Sequence, residues 1–229
     1  MGYVVLGLGV WSATAGNAYN PDYWAMGVMG AMFQMIGHGV CSPGMFFMVG
    51  IIYERVHHRN LDEFGGLFSK MPVYTAMALG IFFAGLGLPG LCGFIGEAVV
   101  VLSIWKYSQA LAVISAAVVI ITAAYILWCL QRVYLGPEYK GPHGDHIHPT
   151  DFRENLIGMT LLGFCILLGV VPYQTVFKYM EATVERQVND LTRWTELVKE
   201  PQTPPPAVGQ GTPVAPQKLS AISADGSDI

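Results

Sequence analysis

The sequence predicts an all-α membrane protein of about five to six transmembrane helices, one of them discontinuous near Pro89–Glu97, followed by a disordered tail. Three observations predict it. Of 229 residues, 53% are apolar and only 12% charged, with a mean hydropathy of +0.45, whereas a soluble domain is about one quarter charged. The charge that exists collects in a few places and leaves long apolar runs between them. The 27 glycines are of a kind that membrane helices tolerate. Together these exclude a soluble globular enzyme and a disordered chain. A net charge of -4 and a pI near 5.8 offer no basic footprint for phosphates, which excludes nucleic acid as a partner.

The apolar runs fall at about 1–15, 24–53, 71–88, 91–105, 109–135 and 155–177. A bilayer core needs about 20 helical residues, so the second, fifth and sixth runs span it. The first covers only about 22 Å at a rise of about 1.5 Å per residue, and Met1-Gly2-Tyr3 already lies inside hydrophobic sequence. The expectation is a truncated polypeptide whose first helix has lost its start. The second run contains Pro43, which removes a backbone donor and is expected to break the helix. The third and fourth runs are separated only by Leu88-Pro89-Gly90-Leu91, within a stretch that also holds Gly85, Gly87, Gly93 and Gly96. Non-helical backbone at membrane depth persists only where protein or a water-filled cavity satisfies it, so Pro89 and Gly90 mark a broken or re-entrant feature.

Beyond the last run, Val184, Val188, Leu191 and Trp194 or Thr195 recur at helical spacing among charged residues. This predicts an amphipathic helix over 179–199 lying on the membrane surface. The segment 200–229 is rich in Pro, Gly, Ala, Ser and Gln, cannot bury enough apolar surface to offset its ordering entropy, and is expected to be disordered. Cys41, Cys92, Cys129 and Cys165 are distributed one per apolar segment and read as small buried hydrophobes.

Glu97 carries the clearest chemical signal, since no other acid lies within an uninterrupted apolar run. Inserting it ionised at the bilayer centre costs about 2.5–3.5 kcal/mol. Protonating a carboxyl of ordinary pKa at pH 7 costs about 3.7 kcal/mol. The two states are nearly degenerate, as a proton carrier requires. The alternative is a carboxylate near an interface, paired with the positive end of the helix that starts at the break.

His38 lies in the middle of the second run, and Gln34, His38 and Ser42 follow one another at i, i+4 and i+8, a polar line on one helix face. The line could hold water and pass protons, or serve as a hydrogen-bonded packing site among small residues. Thr122 and Tyr125, with Ser115 and Cys129, share one face of the fifth run and are possible path-lining groups, although Ser and Thr so placed are more often interhelical contacts. Glu54-Arg55-Val56-His57-His58-Arg59-Asn60 reads as a charged cap at a membrane surface. The loop Pro142 to Pro149, with His143, His146 and His148, invites a metal, but a Gly/Pro loop lacks the four-ligand frame of structural zinc sites, and no metal is expected.

The stretch Gly87-Leu88-Pro89-Gly90-Leu91-Cys92-Gly93-Phe94-Ile95-Gly96-Glu97, with Gly37-His38-Gly39 and Tyr53-Glu54-Arg55-Val56-His57, resembles the M-type (chain 4) antiporter-like membrane subunit of respiratory complex I, NADH:quinone oxidoreductase. Phe64-Gly65-Gly66-Leu67, Lys70-Met71-Pro72 and Arg132-Val133-Tyr134-Leu135-Gly136 support it, and the resemblance covers about residues 1–180. It implies the C-terminal portion of a fourteen-helix subunit, with Glu97 the acid of a broken helix and His38 the histidine of a central polar axis. It implies a proton-translocating subunit driven by electron transfer elsewhere, with no cofactor bound by this chain and with NADH, flavin (FMN), iron-sulfur and quinone chemistry in partner subunits. Partners would be other membrane subunits of complex I, the lipid bilayer and a separate or missing N-terminal half, in a bacterial inner membrane. A multisubunit sodium/proton antiporter, a membrane-bound hydrogenase and a non-catalytic membrane scaffold are the alternatives. Charge leaves the orientation open: with the break crossed as two spans, the positive-inside rule puts the C-terminus in the cytoplasm, while the resemblance implies the opposite.

Overall fold

A computed structural model describes residues 1–14, 21–105, 107–138 and 147–199, without the side chains at 11–14, 21, 198 and 199. Among the described residues there is no strand. Lys106, Lys140, His143, His146 and the segment 200–229 lie outside them.

The organising element is α2, Pro21–Val56, about 54 Å long at the usual rise. It is continuous through Pro43, contrary to the expected break. Proline forfeits one backbone bond, but Cys41 and Gly44 on either side are buried against α4, Pro72–Leu86. That packing holds the helix through the defect, as membrane helices allow.

α2 carries Gly30, Gly37 and Gly44 at steps of seven, which keeps them on one face. Each is where a neighbour comes closest: Gly44 meets Ile81, Gly37 meets the Cys92 backbone, and Gly30 meets Val99 and Val100. Small residues permit such close approach where water gives no driving force for helix association. The order of contacts fixes the topology. As α2 is followed backwards from Gly44 to Gly27, its partners advance from Ile81 through Gly85, Cys92 and Gly96 to Val100 and Ser103. Hence α4 and α5, Cys92–Ile104, together form one discontinuous element antiparallel to α2, with the break opposite its middle.

The break is well formed. Gly87, at φ +80, takes the left-handed conformation that ends α4. The Leu88 and Gly87 N–H groups donate to the carbonyls of Phe83 and Ala84, the pairing of a Schellman motif. Pro89 and Gly90, the latter at φ +92, complete the turn, and α5 begins with no side-chain cap.

Three more elements pack around this pair. The helix α1, Gly2–Thr14, lies antiparallel to the first half of α2, with Gly7 against Gly27 and Ala31. The helix α6, Gln109–Val133, returns alongside, its start clustered with Ile104 and its end with Tyr74 and Met48. The short helix α3, Leu67–Lys70, anchors the loop before α4, with the Phe68 N–H on the Tyr134 carbonyl.

The last span, α7, Phe152–Val170, opens with a capping box between Asp151 and Glu154 and descends beside α4 until Gly169 meets Gly90 and Leu91 in the break. After Pro172 a single wide turn, Tyr173–Phe177, puts Phe177 against Phe33. It leads into α8, Lys178–Lys199. The stripe Val184, Val188 and Thr195 is buried, and the two valines cluster with Val10, Trp24 and Ile104. The amphipathic helix expected on the membrane surface therefore spends its apolar face on α2 and α1.

By length and composition, Asp22–Val56, Gln109–Val133 and Phe152–Val170 can each cross a membrane, and Pro72–Leu86 and Cys92–Ile104 are shorter apolar helices. Joined through the break, those two run beside α2 from Gly44 back to Gly27.

Candidate functional site around the helix break

The Cα–Cβ bonds of a helix tilt toward its N-terminus. Glu97, in the second turn of α5, therefore reaches back toward the break rather than onward. Its carboxylate Oε2 lies 2.8 Å from where a Cβ on Gly87 would stand. Only glycine fits there, both for the positive φ and for the space the carboxylate occupies. Glu97 itself is half-buried.

Gln34 of α2 sits directly over Gly96, with its Oε1, Cβ and Cα against the position of a Gly96 Cβ. Its Oε1 is buried with no hydrogen-bond partner, and an unsatisfied buried acceptor costs about 1–3 kcal/mol. The orphan acceptor thus stands over the residue that precedes Glu97, a place where a water can donate. Tyr3 of α1 is the third polar neighbour: it lies within electrostatic range of Glu97 while its hydroxyl donates to the Ser115 carbonyl of α6 at 2.6 Å.

The remaining expected residues are placed unevenly. His38 lies one turn from Gln34 but on the exposed side of α2, and Ser42 is half-buried above it. Pro43 is exposed inside an unbroken helix. On α6, the Thr122 hydroxyl donates to its own helix at the Val118 carbonyl, and Tyr125 is 58% exposed. Pro89 and Gly90 form the break itself.

Sequence reasoning missed a second polar centre at the far end of α2. Arg55, only 9% exposed, turns inward instead of capping the surface. It donates to both oxygens of Glu154 at 3.0 and 2.8 Å, and to the carbonyls of Ile51, His148 and Pro149. The bidentate geometry and the carbonyl cage satisfy a buried guanidinium almost fully. Near this pair, the Tyr74 hydroxyl donates to the Met48 carbonyl at 2.8 Å and lies 3.3 Å from the Tyr134 hydroxyl. Around it Arg59 stacks on Tyr53, and a cavity of about 120 Å³ opens between Tyr53, Phe64, Tyr74 and Tyr134, away from Glu97. The three-histidine loop contributes one described histidine, His148, whose carbonyl serves Arg55.

Residues 1–122 match the family described as NADH:quinone oxidoreductase/Mrp antiporter, TM. The chain belongs to this family. It is 37% identical over 172 residues to NADH-quinone oxidoreductase subunit M of Rhodobacter capsulatus, covering 75% of this chain and 31% of that protein. To NAD(P)H-quinone oxidoreductase chain 4 3 of Trichormus variabilis it is 35% identical over 197 residues, 81% of this chain and 34% of the other. The chain thus spans about a third of the length of the curated relatives it matches. Among solved structures, respiratory complex I from Thermus thermophilus with bound NADH contains a chain of similar fold, with TM-score 0.69 and 26% identity over 85% of this chain and 37% of that one. The Mrp complex from a Dietzia species contains another, with TM-score 0.64 at 17% identity over 86% and 42%, and this second likeness concerns the fold alone. An integral membrane protein of the antiporter-like family follows from these matches and from the apolar helices.

Proposed function

We propose that this chain is the C-terminal half-channel of a proton-translocating subunit of NADH:quinone oxidoreductase in a bacterial inner membrane. The carrying observation is the Glu97 carboxylate folded onto the Gly87 backbone at the break. A helix that stops and restarts at mid-depth leaves backbone groups that only protein or water can satisfy. A carboxyl there exchanges its proton at small cost between charged and neutral forms. Gln34 offers the adjoining acceptor, and His38, one turn along α2, is the next titratable group.

In this reading Glu97 takes a proton from one side and gives it up toward His38 through ordered water, and a charge change in a partner subunit sets the loading. Each proton moved against 100 mV requires about 2.3 kcal/mol, which the electron-transfer partners supply. NADH, flavin, iron-sulfur and quinone chemistry belong to those partners in this proposal. A sodium/proton exchange role is the second reading, favoured by the family's breadth and by the fold shared with the Mrp complex.

The test is proton movement in vesicles reconstituted with the complete assembly. Glu97→Gln is expected to lower NADH-driven acidification by about a hundredfold or more, the scale of losing one positioned acid–base group, while NADH oxidation by the partner subunits persists. Unchanged acidification would reject the role and leave a membrane scaffold. Sodium-dependent transport without NADH oxidation would favour the exchanger.

A further inference from the structure

Three of the four cysteines, which the sequence separates by tens of residues, meet at the break. Cys41 comes from α2, Cys92 is the first residue of α5, and Cys165 lies on α7 one turn before Gly169, which packs on Gly90 and Leu91. All three are buried in one cluster with Phe33, Ala84 and Leu168. Within that cluster Cys165 stands between the other two side chains, interacting electrostatically with both Cys92 and Cys41, and the Cys41 thiol donates to the Ile81 carbonyl. Cys92 in addition lies 3.8 Å from the Gly37 carbonyl. Cys129 is apart, half-buried beside the cavity at the other end. Among the described residues no group of three or more such side chains is arranged to hold a metal ion.

We propose that Cys165 is the bridging member of a thiol oxidation site, at which a disulfide to Cys92 or Cys41 ties α7 to the broken span or to α2. The oxidant is hydrogen peroxide, small enough to cross the bilayer. One thiol sulfur attacks the peroxide O–O bond, giving a sulfenic acid and one water. A neighbouring thiol attacks that sulfur, the S–O bond breaks, the S–S bond forms, and the hydroxyl leaves with the second thiol proton as another water. Two thiols are oxidised and one peroxide is reduced to two waters. Thiolate character drives the first attack, so burial makes the reaction slow until packing at the break loosens. The shared cluster keeps a second thiol close to the first, so the resolving attack needs only a local rearrangement of side chains.

The geometry alone carries this, independently of whether Glu97 moves protons. Native membranes containing the complete assembly are treated with hydrogen peroxide, denatured, alkylated with N-ethylmaleimide, digested and mapped by mass spectrometry. The expected product is the Cys165 peptide joined to the Cys92 or Cys41 peptide, with Cys129 recovered as the maleimide adduct. Full alkylation of Cys165 after oxidation, or preferential loss of the Cys129 thiol, would overturn the proposal. In Cys165→Ser, with Cys165→Ala as a check on folding, the crosslink should vanish. A Cys41–Cys92 link of equal yield in those variants would also overturn it, since the bridge would then not need Cys165.

Discussion

At Gly87 a single backbone conformation and a single side chain depend on each other. A residue with a Cβ there adopts φ +80 at a cost of about 1–2 kcal/mol, and its methyl meets the Glu97 carboxylate. Gly87→Ala should therefore lower the melting temperature of the detergent-solubilised protein and depress proton transport together. A variant that lost stability but transported normally would separate the two roles. Glu97 was legible in the sequence because a lone acid in an apolar run has no bland partner nearby. Its companions were not: Gln34 and His38 share a helical line, yet α2 turns Gln34 toward Gly96 and leaves His38 on the outside. Tyr3 approaches only because α1 folds back on α2. At the far end, Tyr74→Phe removes a donor from the Met48 carbonyl and should cost about 1 kcal/mol, measurable as a shift in the thermal transition with transport intact.

Among the elements, the long apolar helices and the break follow from run length and from the Gly/Pro cluster. What run length does not contain is which defects are tolerated: Pro43 sits in a helix clamped by α4, whereas Pro89 sits beside Gly87 and Gly90, whose positive φ values complete a turn. The charged residues that follow α2 looked like a cap because charge at the end of a span normally meets water. Arg55 finds Glu154 on α7 instead, a partner 99 positions away that no local pattern indicates. Removing it should show how firmly α7 is held. Arg55→Ala leaves Glu154 without its counter-ion and should cost about 3 kcal/mol, the lower end for a buried pair, because Glu154 is itself 18% exposed. The double change Arg55→Met with Glu154→Leu should recover most of that loss, and failure to recover would mean that the carbonyl contacts carry the stability.

For the molecule as a whole, the contact order along α2 changes the account of its charges. Because α4 and α5 make one crossing, Arg55, Arg59, Lys70, Arg132 and Arg153 gather at one end of the bundle, with α8 extending toward the other. α8 carries Lys178, Arg186 and Arg193 to that other end, so basic residues stand at both ends of the bundle and the positive-inside rule favours neither orientation. Cysteines introduced as Asn60→Cys and Tyr107→Cys should react with a membrane-impermeant maleimide from opposite sides of oriented vesicles. Labelling from the same side would mean that the break is crossed as two spans.

At mid-depth the carbonyl end of one half-rod faces the amide end of the next, so two backbone dipoles meet nose to tail across a short gap. The field in that gap is written in peptide groups, not in side chains. Alanine at Leu88, Leu91, Phe94 or Ile95 would leave it in place, whereas a Cβ at Gly90, with φ +92, or at Gly93, against the Ala84 carbonyl, would shift the two ends apart.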